Sequence, residues 1–123
     1  MGDRANIVVH ETVENKDATV FLYTHWGGYK IKETLQKALA RKQRWDDPAY
    51  LTRIIFCEMV KKDVDGETGY GISTTMCDNE HNLLHVHPAQ KIVKEVTEDG
   101  KMVKSWTFEQ YIKADLTPKD EEE

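Results

Sequence analysis

Histidines, carboxylates and arginines recur in a few short segments at spacings that could do chemistry. Asp3-Arg4 stands near the start, His25-Trp26-Gly27-Gly28 follows, and Asp65-Gly66-Glu67-Thr68 comes later. A glycine pair lets the backbone approach a ligand closely. If it opens a helix, the first amides form an anion site, with Arg4 as a charged partner. His25 beside Asp65 or Glu67 could move protons if their affinities are tuned. The competing reading is structural: Gly27-Gly28 makes a tight strand-to-helix turn over Trp26, and Arg4 pins two loops together by pairing with Asp65 or Glu67. That reading is favoured, because a glycine pair without a fuller phosphate fingerprint is a weak signal.

Other motifs fail on spacing. Aligning Gly66 with the sixth position of a calcium loop puts Lys61 and Ile72 at ligand positions, which excludes an EF-hand. Asp63-Val64-Asp65-Gly66 follows a helix rather than the first strand of a parallel sheet, so it does not fit a phosphatase of the haloacid dehalogenase type. His85 and His87 lie two apart on a strand and share a face, a workable pair of metal ligands. A histidine-triad pattern would need a third histidine at Ala89, and no other third ligand is named. The two are therefore read as exposed strand histidines, and neither metal nor cofactor is assigned. No nucleophile elbow, Walker loop or Cys-x-x-Cys is present. Cys57 and Cys77 have no evident activating neighbour.

The elements that must position these residues follow from periodicity. Residues 5–13 and 18–26 are β-rich runs joined by Glu14-Asn15-Lys16-Asp17, which predicts a hairpin. From Tyr29 the period becomes helical through Ile31, Leu35, Ala38 and Leu39, ending near Gln43. Asp47 and Pro48 are an N-cap and first-turn pair for a second, well-buried helix. The polar stretch 63–69 ends it. Strands are expected over 70–77, 83–87, 91–96 and 101–106, the last two joined at Asp99-Gly100. Thr107 and Gln110 have capping-box spacing for a short helix over 108–114. The order β-β-α-α-β-β-β-β-α predicts an α+β fold: an antiparallel sheet with helices on one face and a short C-terminal helix.

Pairing Val13 with Ala18 sets Asn6 opposite His25 and Val8 opposite Tyr23. Ile7, Val9, Val20 and Leu22 then meet the helices, while Asn6, Val8, His10, Phe21, Tyr23 and His25 form a second face, half aromatic and half polar. That face suits a ligand floor or a homodimer surface. A first helix of about 22 Å carries the chain to the far pole, and the second returns it. Asp3, Arg4, Asn6, Tyr23, His25, Trp26, Gly27, Gly28, Asp65, Glu67 and Thr68 are therefore expected to converge as a ligand-binding site. Cys77-Asp78-Asn79-Glu80 is read as a turn at the opposite pole.

Length and composition bound the rest. The 123 residues suit one domain, read as 1–116 with an acidic, disordered tail at 117–123. A net charge of −5 disfavours generic nucleic-acid binding. The chain lacks a long apolar run and an apolar leader, so neither a membrane nor export is expected. Two thiols in such a chain fit a reducing, cytoplasmic setting.

At Met1-Gly2-Asp3-Arg4-Ala5-Asn6, Tyr23-Thr24-His25-Trp26-Gly27-Gly28, Arg44-Trp45-Asp46-Asp47 and Gly66-Glu67-Thr68-Gly69-Tyr70-Gly71-Ile72-Ser73, the chain resembles a group of small uncharacterised proteins of bacteria and their phages. The likeness covers about the first 80 residues. It implies an origin and a cytoplasmic setting, and no activity.

Three functions are compatible with these residues. First is a binding module for a small polar or phosphorylated molecule. Second is an interaction or inhibitor protein using exposed aromatics such as Trp45 and Tyr50 against a protein partner. Third is a small hydrolase built on His25 or on a metal at His85 and His87, so enzymatic activity is left open.

Overall fold

The computed structural model describes residues 2–76 and 78–116; Cys77 and the acidic tail at 117–123 lie outside the described residues. Strand β1 (Ala5–Val13) turns into β2 (Lys16–Thr24) through Glu14 and Asn15 alone, both at positive φ, 51° and 66°. Such a two-residue turn matches the right-handed twist of the strands it joins. Val13 therefore pairs with Lys16, and Asn6 stands opposite Tyr23 rather than His25. The expected register is corrected by two residues. An even displacement preserves the faces, so Ile7 and Val9 still oppose Leu22 and Val20 on the helix side.

A 3-10 turn (Gly28–Lys30) leads into α1 (Ile31–Ala40), which is shorter than expected at about 15 Å. Its buried residues Ile31, Leu35, Ala38 and Leu39 form one stripe. Helix α2 (Pro48–Val60) begins as foreseen, the Asp47 side chain accepting from the Tyr50 amide with Pro48 in the first turn. It buries only Leu51, Ile55 and Met59, and Cys57 is exposed. Trp45 is half-buried: its Nε1–H donates to the Leu39 carbonyl at 3.1 Å and its ring meets Phe108 edge-on. The loop between the helices is thereby clasped to the core.

The last strands are β3 (Tyr70–Ser73), β4 (Leu83–His87), β5 (Ile92–Val96) and β6 (Met102–Thr107), followed by α3 (Phe108–Lys113). The capping box of α3 is complete, with Thr107 and Gln110 each bonding the other's amide. The six-stranded sheet runs β3-β2-β1-β4-β5-β6. Its pairs are antiparallel save one: β1 and β4 are parallel, with Val8 opposite His85. The α+β expectation holds, and the all-antiparallel sheet is corrected at that pair. One face of the sheet (Ile7, Val9, Leu22, Leu84, Val86, Val93, Trp106) closes a core with α1, α2 and α3. No helix among the described residues is long and apolar enough to cross a membrane.

Removing the Leu84 side chain, fully buried between sheet and helices, opens a cavity. Leu84→Ala is expected to lower the unfolding free energy by about 2–5 kcal/mol in urea denaturation. Ile72→Ala, at a position 60% exposed on the edge strand β3, should change it by less than about 0.5 kcal/mol. Equal effects would show that the core lies elsewhere.

Candidate functional site

The start of β1, the end of β2 and the 3-10 turn meet at one pole. The Asp3 amide donates to the His25 carbonyl (2.7 Å), the Gly28 amide to the Asp3 carbonyl (2.8 Å), and the His25 amide to the Gly69 carbonyl (2.8 Å). Asp3, Arg4, Asn6, Tyr23, His25, Trp26, Gly27 and Gly28 are thus brought together, as expected. Asp65, Glu67 and Thr68 are exposed, and among the described residues none bonds to the pole. Their loop contributes Gly69 instead, whose φ of +98° and bare Cα leave room for the Trp26 ring; a Cβ there would lie 2.5 Å from it. Trp26 is 51% exposed and packs on Gly69 and His25, not beneath the glycine pair. No ion pair joins Arg4 to Asp65 or Glu67 among the described residues.

The amides expected to cradle an anion are already bonded. Gly27 donates to Thr24 Oγ1 (2.9 Å), Gly28 to the Asp3 carbonyl and Lys30 to the Gly27 carbonyl (3.1 Å). Tyr29 donates to the Asp3 carboxylate at 2.7 Å. Asp3 is therefore the anion of this turn, supplied by the chain itself.

Its partner was not among the expected residues. The other Asp3 oxygen accepts from His81 Nε2. This bond, joined by that from Tyr29, holds the Asp3 carboxyl below its ordinary pKa against the opposing effect of burial. A carboxylate only accepts, so Nε2 carries the hydrogen and Nδ1 of the neutral ring is left as an acceptor. His81 arrives with residues 78–82, which lie at the pole just before β4. The Arg4 amide donates to Glu80 Oε1 (2.7 Å) and the Glu80 amide to the Arg4 carbonyl (2.8 Å). Asn6 Nδ2 donates to the Asp78 carbonyl at 2.8 Å. The turn expected at the opposite pole is corrected accordingly: residues 78–80 lie at this one.

The pole has two sides. On the side away from the helices, Tyr23 OH and His25 Nδ1 are 2.9 Å apart. Nearby, Arg4 Nε and Asn6 Oδ1 are buried without a hydrogen-bond partner among the described residues. On the helix side is a cleft of about 460 Å3, lined by Gly28, Tyr29, Lys32, Glu33, His81 and Asn82. Buried Glu95 forms its floor and is held by Lys32 Nζ and Asn82 Nδ2, each at 3.0 Å.

His85 and His87 lie toward the other end of the same sheet. Neither is the exposed strand histidine expected: both are half-buried. Burial lowers the pKa of each, and for His87 the neighbouring His10, Lys94 and His85 add to it, outweighing Asp17, so that it falls to about 4.

No family model, curated protein or solved structure matches this chain.

Two predictions follow from this geometry. A Cβ on Gly28 would lie 2.5 Å from His81 Nε2 and 2.6 Å from the Asp3 carbonyl. Gly28→Ala should cost about 1–3 kcal/mol by overpacking and displace the His81 ring resonances in NMR spectra. Gly71→Ala, with nothing within 4 Å of its Cβ, should do neither. For His87, the lowered folded-state value means that the unfolded chain binds the extra proton between pH 6.5 and about 4. Stability should thus fall as pH drops through that window. His87→Gln should flatten the slope, as measured by urea midpoints at successive pH values; an unchanged slope would refute the assignment.

Proposed function

We propose that this protein is a small binding module whose ligand is a small polar molecule, held in the cleft between Gly28, Lys32 and His81. The observation that carries this reading is the fixed histidine: Asp3 holds the His81 ring by its Nε2 at the wall of a cleft of ligand-sized volume. Tyr29, 68% exposed, offers an aromatic rim.

Charge favours one kind of polar ligand over another. Glu33 and Glu95 line the cleft and Asp3 stands behind His81, against the single ammonium of Lys32. A phosphorylated molecule would meet this carboxylate excess, whereas a ligand rich in hydroxyl or amino donors would be accepted by it. Arg4, the guanidinium expected to receive a phosphate, is on the opposite side of the sheet.

The other readings draw less support. Trp45 is half-buried in the helix clasp, which removes one of the aromatics that suggested a protein partner. No hydroxyl or thiol is hydrogen-bonded to His81 among the described residues, so the dyad has no partnered nucleophile for hydrolysis. A cytoplasmic setting belongs to the same proposal, since the exposed thiol of Cys57 persists in a reducing compartment.

The test is an NMR titration of labelled protein against polyols, sugars, amino compounds and phosphate monoesters. Donor-rich compounds should shift the amides of Gly28, Tyr29 and Asn82, and His81→Ala should abolish the shifts while His85→Ala preserves them. If no compound moves these amides, or if the shifts survive His81→Ala, the reading is wrong.

A further inference from the structure

The parallel pairing of β1 and β4 sets His10 beside His85 and His87 on the sheet face turned away from the helices. One ligand nitrogen from each of the three lies within 4.8 Å of the other two. Tetrahedral coordination at about 2.0–2.1 Å places ligand nitrogens roughly 3.3 Å apart. His10 Nε2 and His85 Nδ1 stand 2.7 Å apart and no pair exceeds 4.8 Å, so ring rotations that open the first distance and close the longer ones separate the observed arrangement from a binding one. The His10 and His87 rings are stacked, 4.1 Å between centroids and 17° between planes. They must turn about χ2 to converge, a soft torsion for histidine.

The hydrogen-bond chain settles which atoms are at hand. His10 Nδ1 donates to Asp17 Oδ2 at 2.9 Å, because the carboxylate only accepts. Neutral His10 therefore presents Nε2 as its lone pair, and His85 Nδ1 donates to it at 2.7 Å. A carboxylate behind the distal nitrogen of a ligand histidine is the outer-shell arrangement that fixes the tautomer and raises ligand basicity. Two of the three, His10 and His87, also border a cleft of about 580 Å3 with Asp17 and Gln90, which admits an ion and leaves room for a further ligand.

We propose that His10, His85 and His87 form a binding site for a divalent transition metal of the zinc class, with Asp17 orienting His10. The ion takes the place of the hydrogen that His85 donates to His10 Nε2, and that hydrogen moves to the other ring nitrogen of His85. Three protein nitrogens leave a fourth tetrahedral position to water or a small ligand, the pattern of open rather than purely structural sites. Borderline ions suit imidazole donors, whereas Mg2+ and Ca2+, which take oxygen ligands, do not.

Titration of metal-free protein with Zn2+ by calorimetry is expected to show one saturable site, with Mg2+ silent. Co2+ should give visible absorption of a four- or five-coordinate ion. His87→Ala should weaken Zn2+ binding at least 100-fold, and Asp17→Asn should weaken it about 10-fold while leaving the Co2+ coordination number unchanged. His81→Ala, at the other end of the sheet, should leave it unchanged. Circular dichroism confirms that each variant is folded, and His87→Gln serves if the alanine variant is not. Absence of saturable Zn2+ binding to the wild-type chain, or binding unaffected by His87→Ala in a folded variant, would overturn the site.

Discussion

Strand β1 is bonded on both sides, antiparallel to β2 and parallel to β4, and the parallel pair is the constraint from which both candidate sites follow. Antiparallel neighbours can be joined by a two-residue turn, whereas parallel ones require the chain to return to the end where it began. Residues 78–82 stand at that end. They deliver Glu80 to the backbone of Arg4 and His81 to the carboxylate of Asp3. The same pairing aligns β4 so that His85 and His87 stand beside His10. A slip of one residue would turn every β4 side chain to the other face, burying the histidines and exposing Leu84 and Val86.

At the pole, the polar groups are arranged around charges that the chain supplies to itself. Asp3 satisfies the Tyr29 amide and holds His81, so the turn carries its own anion. Glu95, 7% exposed, would be costly to bury alone, and its bonds from Lys32 and Asn82 supply the compensation. Tyr111, packed nearby, has its ionisation pushed far up by burial, and secondarily by Glu95. It stays neutral and donates its hydroxyl hydrogen to the Lys32 carbonyl at 2.8 Å. These contacts tie the start of α1 to β5 and α3 where the cleft wall meets the sheet.

What could be read from the sequence was what local chemistry determines. The Asp47-Pro48 start, the Thr107–Gln110 box and the alternation in β1 and β2 each lie within a few residues of one another. The hairpin register is not legible in the sequence because Glu14, a residue that seldom adopts positive φ, does so here beside Asn15, which tolerates it. The two faces are legible all the same, because a displacement of two residues leaves each side chain on its own face. The pole was legible for the residues that β1, β2 and the glycine turn place together. His81 and Glu80 were not, since their position rests on a pairing between segments more than seventy residues apart, for which no local signal exists. His10 was assigned to the correct face, yet its meeting with His85 depends on that same pairing.

Three histidines on one sheet face are a choice of charge state as much as of residue type. His85 stands directly across from Lys94, and His87 faces His10 at stacking distance. Protonating His85 or His87 sets a charge in a half-buried position beside Lys94 and the other rings, with Asp17 the opposing charge on this face. Burial and these neighbours act in the same direction on His85 and His87, and both favour neutral imidazole. A neutral imidazole has one nitrogen that donates and one that accepts. On this face Asp17 and His10 take up the donors of the first two rings in turn. The arrangement therefore favours unprotonated imidazole at His85 and His87, the state in which such nitrogens can serve as ligands.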